Sequence, residues 1–298
     1  MFIKFLDRYL TRKTVDAFRG YGFLLPALFL FVSIELFSIL YNIYISFHKW
    51  NGFGKPEFIG FGNYLDLLKN DKFLNALGHN LIFWGVAIGV MATLALLIAV
   101  ILDSNIPGYN IFRGLFFLPV ITPMVVVSLV WKRVYSAQGG LLNQMLVLFN
   151  LPNLQHDWLG DPKTALTALL FVWVWRHVGY GVVIFYAGLL GISEDVKDAA
   201  AIDGASPWQM MWYVVLPLLR PTIYIVAVLF SIWGFKPFTL IYVMTRGGPF
   251  YATEVINSLM YDTVFRFSKL GEGATITTYV LIILLILGFI RSRLPSEI

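Results

Sequence analysis

The chain has 298 residues, 58% of them hydrophobic and 13% charged, with a mean hydropathy of +0.75. A soluble domain carries roughly one-quarter charged residues, so this composition excludes one and indicates an integral membrane protein. The net charge of +5 comes without a basic stripe interleaved with aromatics, which argues against nucleic acid, and the lack of cysteine removes disulfides and thiolate metal sites.

Residues 1–20 form a basic segment, with Lys4, Arg8, Arg12, Lys13 and Arg19 ahead of an apolar run too long for a signal-peptide core. A bilayer crossing takes about 20 apolar residues. Such runs fall at 22–46, 79–102, 112–131, 164–190, 219–244 and 274–290, which predicts six transmembrane helices in one domain over 21–291 and a tail at 292–298. Six spans put both termini on one side, and the basic ends (Arg291 and Arg293 close the chain) favour the cytoplasm. The Asp103–Asn110 connection, with Pro107-Gly108, is then a plain inner turn. The loops at 47–78, 132–163 and 245–273 lie outside. Each holds aromatics and short amphipathic pieces, such as Phe61-Gly62-Asn63-Tyr64-Leu65 and Leu141-Leu142-Asn143-Gln144. They could dock a partner or simply cover span ends.

Charges inside spans are costly and mark functional candidates. Glu35 lies in the first run, Arg176 and His177 in the fourth, and Lys236 beside Pro237 in the fifth. Arg176 and Lys236 could line a polar pathway and hold a carboxylate or phosphate; alternatively one of them pairs with Glu35 and locks two spans together. Pro237 cannot donate a backbone bond, so the helix is expected to kink beside Lys236. His177 reads as a hydrogen-bonded packing residue, and Gly179 and Gly181 as points of close helix contact. Trp50, Trp131 and Trp158 sit near span ends, whereas Trp84, Trp173, Trp175 and Trp233 lie deeper, where sugar rings could stack but core packing is the commoner fate.

Between the fourth and fifth runs lies a polar island, about residues 191–218. Ser193 can cap a helix whose first turn carries Glu194 and Asp195. Ala199, Ala200 and Ala201 favour the helix, and Gly204 suits the left-handed residue that ends it. Ser206-Pro207-Trp208-Gln209 then restarts a helix with a capping box and proline at its first position. Capping alone is equally compatible with an ordinary ordered loop.

The spacing here carries a resemblance. Asp198-Ala199-Ala200, Gly204, Val214 and Leu216-Pro217 resemble the EAA loop of binding-protein-dependent ABC importer permeases, with Asp for the usual Glu and Val for the usual Ile. Ser46-Phe47 with Trp50, Gly62-Asn63-Tyr64 (reading back to Phe61), Phe116-Phe117-Leu118-Pro119 with Pro123, and Leu240-Ile241-Tyr242-Val243-Met244-Thr245 before Gly247-Gly248-Pro249 resemble stretches of its maltose and glycerol-phosphate importer branch. The resemblance runs from about residue 20 to 290. It implies an all-α fold of six transmembrane helices with a cytoplasmic coupling-helix loop, of the type I importer kind. It also implies a second homologous permease, two ATP-binding cassette subunits, an extracytoplasmic binding protein, a carbohydrate substrate and a bacterial or archaeal plasma membrane. Asp198, Ala199, Ala200, Asp203, Gly204 and Ala205 would meet the ATPase, and Glu35, Trp175, Arg176, Lys236 and Tyr242 are the candidate pathway residues.

No phosphate loop, HExxH or G-x-S-x-G motif occurs, so neither catalysis nor a cofactor is expected and energy must come from a partner. The competing readings are a carrier driven by an ion gradient, with Glu35, Arg176 and Lys236 as a charge relay, and a structural scaffold subunit. The first leaves the polar island unexplained, and the second the charges.

Overall fold

Uncharged apolar stretches satisfy their backbone groups in lipid only by folding as helices. The structure, a computed structural model describing residues 12–103 and 109–292, is accordingly mostly helical. Five helices are long and apolar enough to cross a membrane: Gly20–Ser46, Asp71–Asp103, Pro162–Leu190, Arg220–Met244 and Leu270–Phe289. A sixth crossing is a bent pair, Gly114–Ile121 with Met124–Val134, and in chain order it is span three. Among the described residues, strand pairing is confined to a short antiparallel ladder, His48 with Phe58 and Lys49 with Glu57. The expectations for Lys4, Arg8, the Pro107-Gly108 turn and Arg293 lie outside the described residues, as do the side chains of Arg12, Lys13, Arg19 and Arg291.

Two expected spans need correction. The run at 112–131 is not one straight helix, because its two halves meet at 104°. Pro123 sits at the corner with φ −57° and ψ 135°, an extended conformation that starts the second half; it has no N–H to continue the first. Span two begins at Asp71 rather than 79, because Asn70 caps it, its side-chain oxygen accepting from the amides of Lys72 at 2.9 Å and Phe73 at 3.4 Å. Its added turns are polar and tie into the loop at 245–273. Asn75 donates to the Tyr251 carbonyl at 3.0 Å, Lys72 to the Tyr251 hydroxyl at 2.8 Å, and the His79 ring meets the Glu254 carbonyl at 2.7 Å. The kink at Pro237 is present: one helix ends at Gly234 and the next starts at Phe238. The amphipathic outer pieces form the helices Gly62–Leu68 and Leu141–Leu148.

Span four is central. It packs against the inner half of span two, the first half of span three and span five, burying Leu169, Val172, Trp173, Val182, Phe185 and Leu189. Glycine sets these distances. A Cβ on Gly179 would lie 2.2 Å from the Phe116 carbonyl oxygen, and one on Gly181 would lie 2.7 Å from both Ala95 and Phe230. A smaller cluster of Leu67, Phe73, Ala76, Ile256 and Ile276 ties the outer loops to span six. Span one differs. Its C-terminal turns, Phe37–Ser46, meet span six, where Asn42 donates to the Ala274 carbonyl and the Thr278 hydroxyl at 3.2 Å each. The rest is bare, with Phe23 88% exposed.

Gly179→Val should therefore drive a side chain into backbone and cost about 1–3 kcal/mol, the usual range for overpacking. Gly78→Ala, where a Cβ meets nothing within 4 Å, serves as control. Thermal unfolding followed by size exclusion in mild detergent should show a lower midpoint for the first and no drop for the second.

Candidate functional site

The polar island folds as a short helix, a sharp turn and a second helix. Ser193 caps Glu194–Ile202, its hydroxyl accepting from the Asp195 amide at 3.3 Å, with Glu194 and Asp195 in the first turn. At the other end the Gly204 amide reaches the Ala201 carbonyl, and the Ala205 amide reaches the Ala200 carbonyl, both at 3.0 Å. That pair of bonds is a Schellman ending, and it requires the left-handed conformation that Gly204 adopts at φ +84°. Ser206 then opens Pro207–Met210 with a reciprocal capping box: its hydroxyl accepts from the Gln209 amide at 3.3 Å, and its amide donates to the Gln209 side chain at 2.8 Å. A π-helical turn, Met211–Val215, leads through Leu216–Leu218 into span five.

The two faces of Glu194–Ile202 differ. Asp198, Ala199, Asp203 and Gly204 are exposed, whereas Ala200 and Ala205 are half-buried. Ile202 is 86% exposed although apolar, and Val196, Trp208, Trp212 and Tyr213 are exposed around it. Sequence reasoning did not single out Ile202 or Val196; the signal was an apolar residue on the polar side of an otherwise hydrophilic helix. It also missed Lys197, which bonds Glu194 at 3.1 Å and, across the fold, Asp103 at 3.4 Å. Burial pulls the Lys197 amine down, but bonds and charge from Glu194 and Asp103 outweigh it and hold the group above its ordinary value.

The charged residues of the spans do not gather into one site. Among the described residues no hydrogen bond or ring contact joins any two of Glu35, Trp175, Arg176, Lys236 and Tyr242, and none of the three charged groups has an ion-pair partner. The alternative in which Glu35 locks to Arg176 or Lys236 is thus excluded. Glu35 is exposed within a π-helical turn of span one, Phe31–Leu36. Arg176 instead reaches from span four to the corner of span three, where its Nε donates to the Thr122 carbonyl at 3.1 Å. That carbonyl is among those left open when Pro123 ends the helix, and a cation at a helix C-terminus is favourable. Arg176 Nη1 is buried with no partner, and its guanidinium lies 5.8 Å from the Tyr180 ring. Tyr180 in turn meets Trp233 at 4.8 Å. Trp175 is 39% exposed and stands edge-on to Trp131 at 5.4 Å. Lys236 is exposed at the span-five break. Tyr242 stacks on Phe238 at 5.3 Å and meets Tyr261 at 5.0 Å. His177 packs as expected, its Nδ1 at 2.8 Å from the Trp173 carbonyl and its ring between Trp173 and Trp233.

A six-crossing bundle with a capped surface helix-turn-helix between spans four and five is a specific arrangement, and comparison with known proteins gives it a family. The model of the binding-protein-dependent transport system inner membrane component matches residues 85–294. The chain belongs to that family. It is 32% identical over 278 residues to the probable ABC transporter permease protein YurN of Bacillus subtilis strain 168, covering 92% of this chain and 94% of that one. It is 31% identical over 287 residues to the multiple sugar-binding transport system permease protein MsmF of Streptococcus mutans, covering 96% and 98%. Its fold matches a chain of a bacterial alginate ABC transporter, crystallised in complex with an alginate pentasaccharide-bound periplasmic protein. The TM-score is 0.82 at 20% identity, with 94% of each chain covered. The chain is therefore an integral, multi-pass ABC transporter permease subunit, a membrane component rather than an enzyme.

Two predictions follow from this geometry. Ser193→Ala removes a cap and should weaken Glu194–Ile202 by ~1 kcal/mol, seen as faster amide exchange in that helix alone. Glu254, in the third outer loop, is buried and receives a hydrogen bond from Ser258. Burial raises its carboxyl, Ser258 opposes the rise and Asp262 adds to it. A raised acid gives stability that is full below its ordinary value and lost as pH climbs through the folded one. The Ile256 amide, held by Asn80 at 2.7 Å, should exchange faster as pH rises through that window, beyond the intrinsic rate, and Glu254→Gln should abolish the excess.

Proposed function

We propose that this chain is one of two homologous permease subunits of an ATP-driven importer of saccharides, and that the unit from Ser193 to Pro217 is gripped by the ATP-binding subunits. A soluble extracytoplasmic protein delivers the sugar to the outer loops, and the two permeases enclose the pathway between them. Two ATP-binding cassette subunits close on the cytoplasmic side, so both termini lie in the cytoplasm of a bacterial or archaeal cell. The observation that carries this reading is the Glu194–Ile202 helix with its Gly204 turn, capped at both ends and exposed along Asp198, Ala199, Asp203 and Gly204. Such a helix is stiff and moves as a piece, and packed spans shift between discrete arrangements rather than stretch. In this reading Asp198 makes polar contact with the ATPase groove, Ala199 and Ala200 allow close seating, Asp203 and Ala205 flank the bend, and Gly204 sets it.

The bare face of span one supports a second permease. A crossing exposed along all but its last turns offers its surface to a partner or to lipid. The saccharide reading rests on MsmF, named for multiple sugars, and on the aromatic surfaces of Trp175, Tyr180, Trp233 and Tyr242 beside the cations Arg176 and Lys236. The same cations leave room for an acidic sugar or a glycerophosphate compound. ATP is consumed by the partners, and this subunit needs no cofactor of its own. An ion-gradient carrier is disfavoured because Glu35, Arg176 and Lys236 form no connected relay.

Purification of this subunit from its native membrane in mild detergent should bring a second permease and an ATPase with vanadate-sensitive hydrolysis. Recovery of the subunit alone, with transport that follows a proton or sodium gradient, would overturn the reading. Gly204→Val is the sharper probe, since a Cβ there meets nothing within 4 Å and only the backbone objects. Left-handed strain of roughly 1–2 kcal/mol corresponds to about a tenfold loss of the docked geometry. Uptake should fall by about that factor while membrane insertion is unchanged.

A further inference from the structure

The helix Glu194–Ile202 buries none of its residues. Span four leads into it through Gly191, Ile192 and Ser193, and span five follows it only after the Gly204 turn and the second helix. A helix held by chain alone can swing on its ends when pushed, and the push is then lost. Among the described residues one side chain of this helix bonds the bundle: Lys197, whose amine lies 3.4 Å from the Asp103 carboxylate at the inner end of span two. Both side chains are about four-fifths buried, with 20% and 23% exposed, whereas Glu194, the other partner of Lys197, is 79% exposed.

The contrast decides which bond matters. An exposed pair such as Lys197–Glu194 contributes little. A part-buried pair resists separation, because removing one member leaves the other charge unpaired. Leu102, next to Asp103, and Ile192, five residues before Lys197, belong with Leu189 to one buried apolar cluster.

We propose that the Lys197–Asp103 ion pair is the strut that fixes the surface helix to span two, so that displacement of the helix moves the bundle instead of turning the helix on its own hinge. This deepens the importer reading and rests on it: Lys197 is a positioning residue that works through Asp103 and does not itself meet the ATPase. Coupling between two sites is reciprocal. The same strut carries the signal of a loaded binding protein from the outer face to the ATP-binding subunits.

The chain has no cysteine, so spin labels at Leu97→Cys and Ala201→Cys, attached before assembly with the partners, report span two and the surface helix without background from this subunit. In the complex isolated with its ATPase and binding protein, the distance between labels should be narrow, and the same in nucleotide-free and vanadate-trapped states. Lys197→Met and Asp103→Asn should broaden it and make it differ between the states. They should also lower the ratio of binding-protein-stimulated to basal ATP hydrolysis toward one. Lys197→Arg should keep both properties, and Lys197→Glu with Asp103→Lys should restore them. A narrow, state-independent distance in the single neutral variants, an undiminished stimulation ratio, or failure of the charge swap would each overturn the strut. A wild-type complex with no vanadate-sensitive hydrolysis would instead overturn the importer reading.

Discussion

At Gly179 the backbone of span four approaches the Phe116 carbonyl so closely that a Cβ would sit 2.2 Å from it, and two residues on Gly181 gives spans two and five the same freedom. Everything else in the bundle is arranged around that proximity. Lipid gives apolar side chains no incentive to associate, since the tails are as apolar as they are, and helices hold together by dispersion contact and by the hydrogen bonds that closeness permits. With spans two, three and five drawn in, large side chains such as Trp173, Phe185 and Phe230 are enclosed on all sides. Without those glycines, the same side chains would face a looser bundle, and Arg176 would stand too far from Thr122 to reach it.

The bond from Arg176 to Thr122 follows from the same packing and shows why a charge in a span need not belong to a relay. A span bent by 104° at Pro123 leaves carbonyls with no intrahelical partner. In hydrocarbon each such group is costly. A neighbouring helix that supplies a long, permanently charged donor satisfies one of them and interacts favourably with the negative helix end. One guanidinium nitrogen remains buried and unused, so the residue holds the corner while keeping a donor in reserve. A shorter amide would hold the corner only; the guanidinium combines a structural bond with an open donor in the middle of the membrane.

Much of this was legible in the sequence because it is local. Spans one, four, five and six follow from runs of apolar residues, and the caps at Ser193 and Ser206, the ending at Gly204 and the break at Pro237 follow from side-chain chemistry within four residues. The third span misled because Pro119 and Pro123 carry the same local signal. Pro119 is accommodated inside the helix Tyr109–Ile121, and Pro123 ends it; only the Arg176 donor, 53 positions beyond Pro123 in the chain, distinguishes them. The start of span two was misplaced for a related reason: Lys72, Asn75 and His79 look like loop until Tyr251 and Glu254 are brought beside them. Among the candidate pathway residues, periodicity could say that Arg176 and Lys236 lie in spans but not which way they turn. The Lys197–Asp103 pair was invisible, since both look like ordinary surface charges at opposite ends of different elements.

These contacts divide the chain by stiffness. Spans two, four and five and the second half of three share one apolar cluster, and the first half of three packs on span four. Among the described residues span one is bonded to span six, through Asn42, rather than to that cluster. The helix Glu194–Ile202 contributes no buried residue to the cluster, and the surface unit reaches it only past the second helix, through Val215 with Met210 and Met211 packed alongside. Rigidity and attachment are separate properties, supplied here by different chemistry. An N-cap, a Schellman ending, a capping box and alanines supply the first from within the segment itself. The second has to come from outside the segment. A polar bond suits it better than apolar packing would, because burying an apolar face of Glu194–Ile202 would draw the helix into the membrane and withdraw Asp198, Ala199 and Gly204 from the solvent where a partner must meet them.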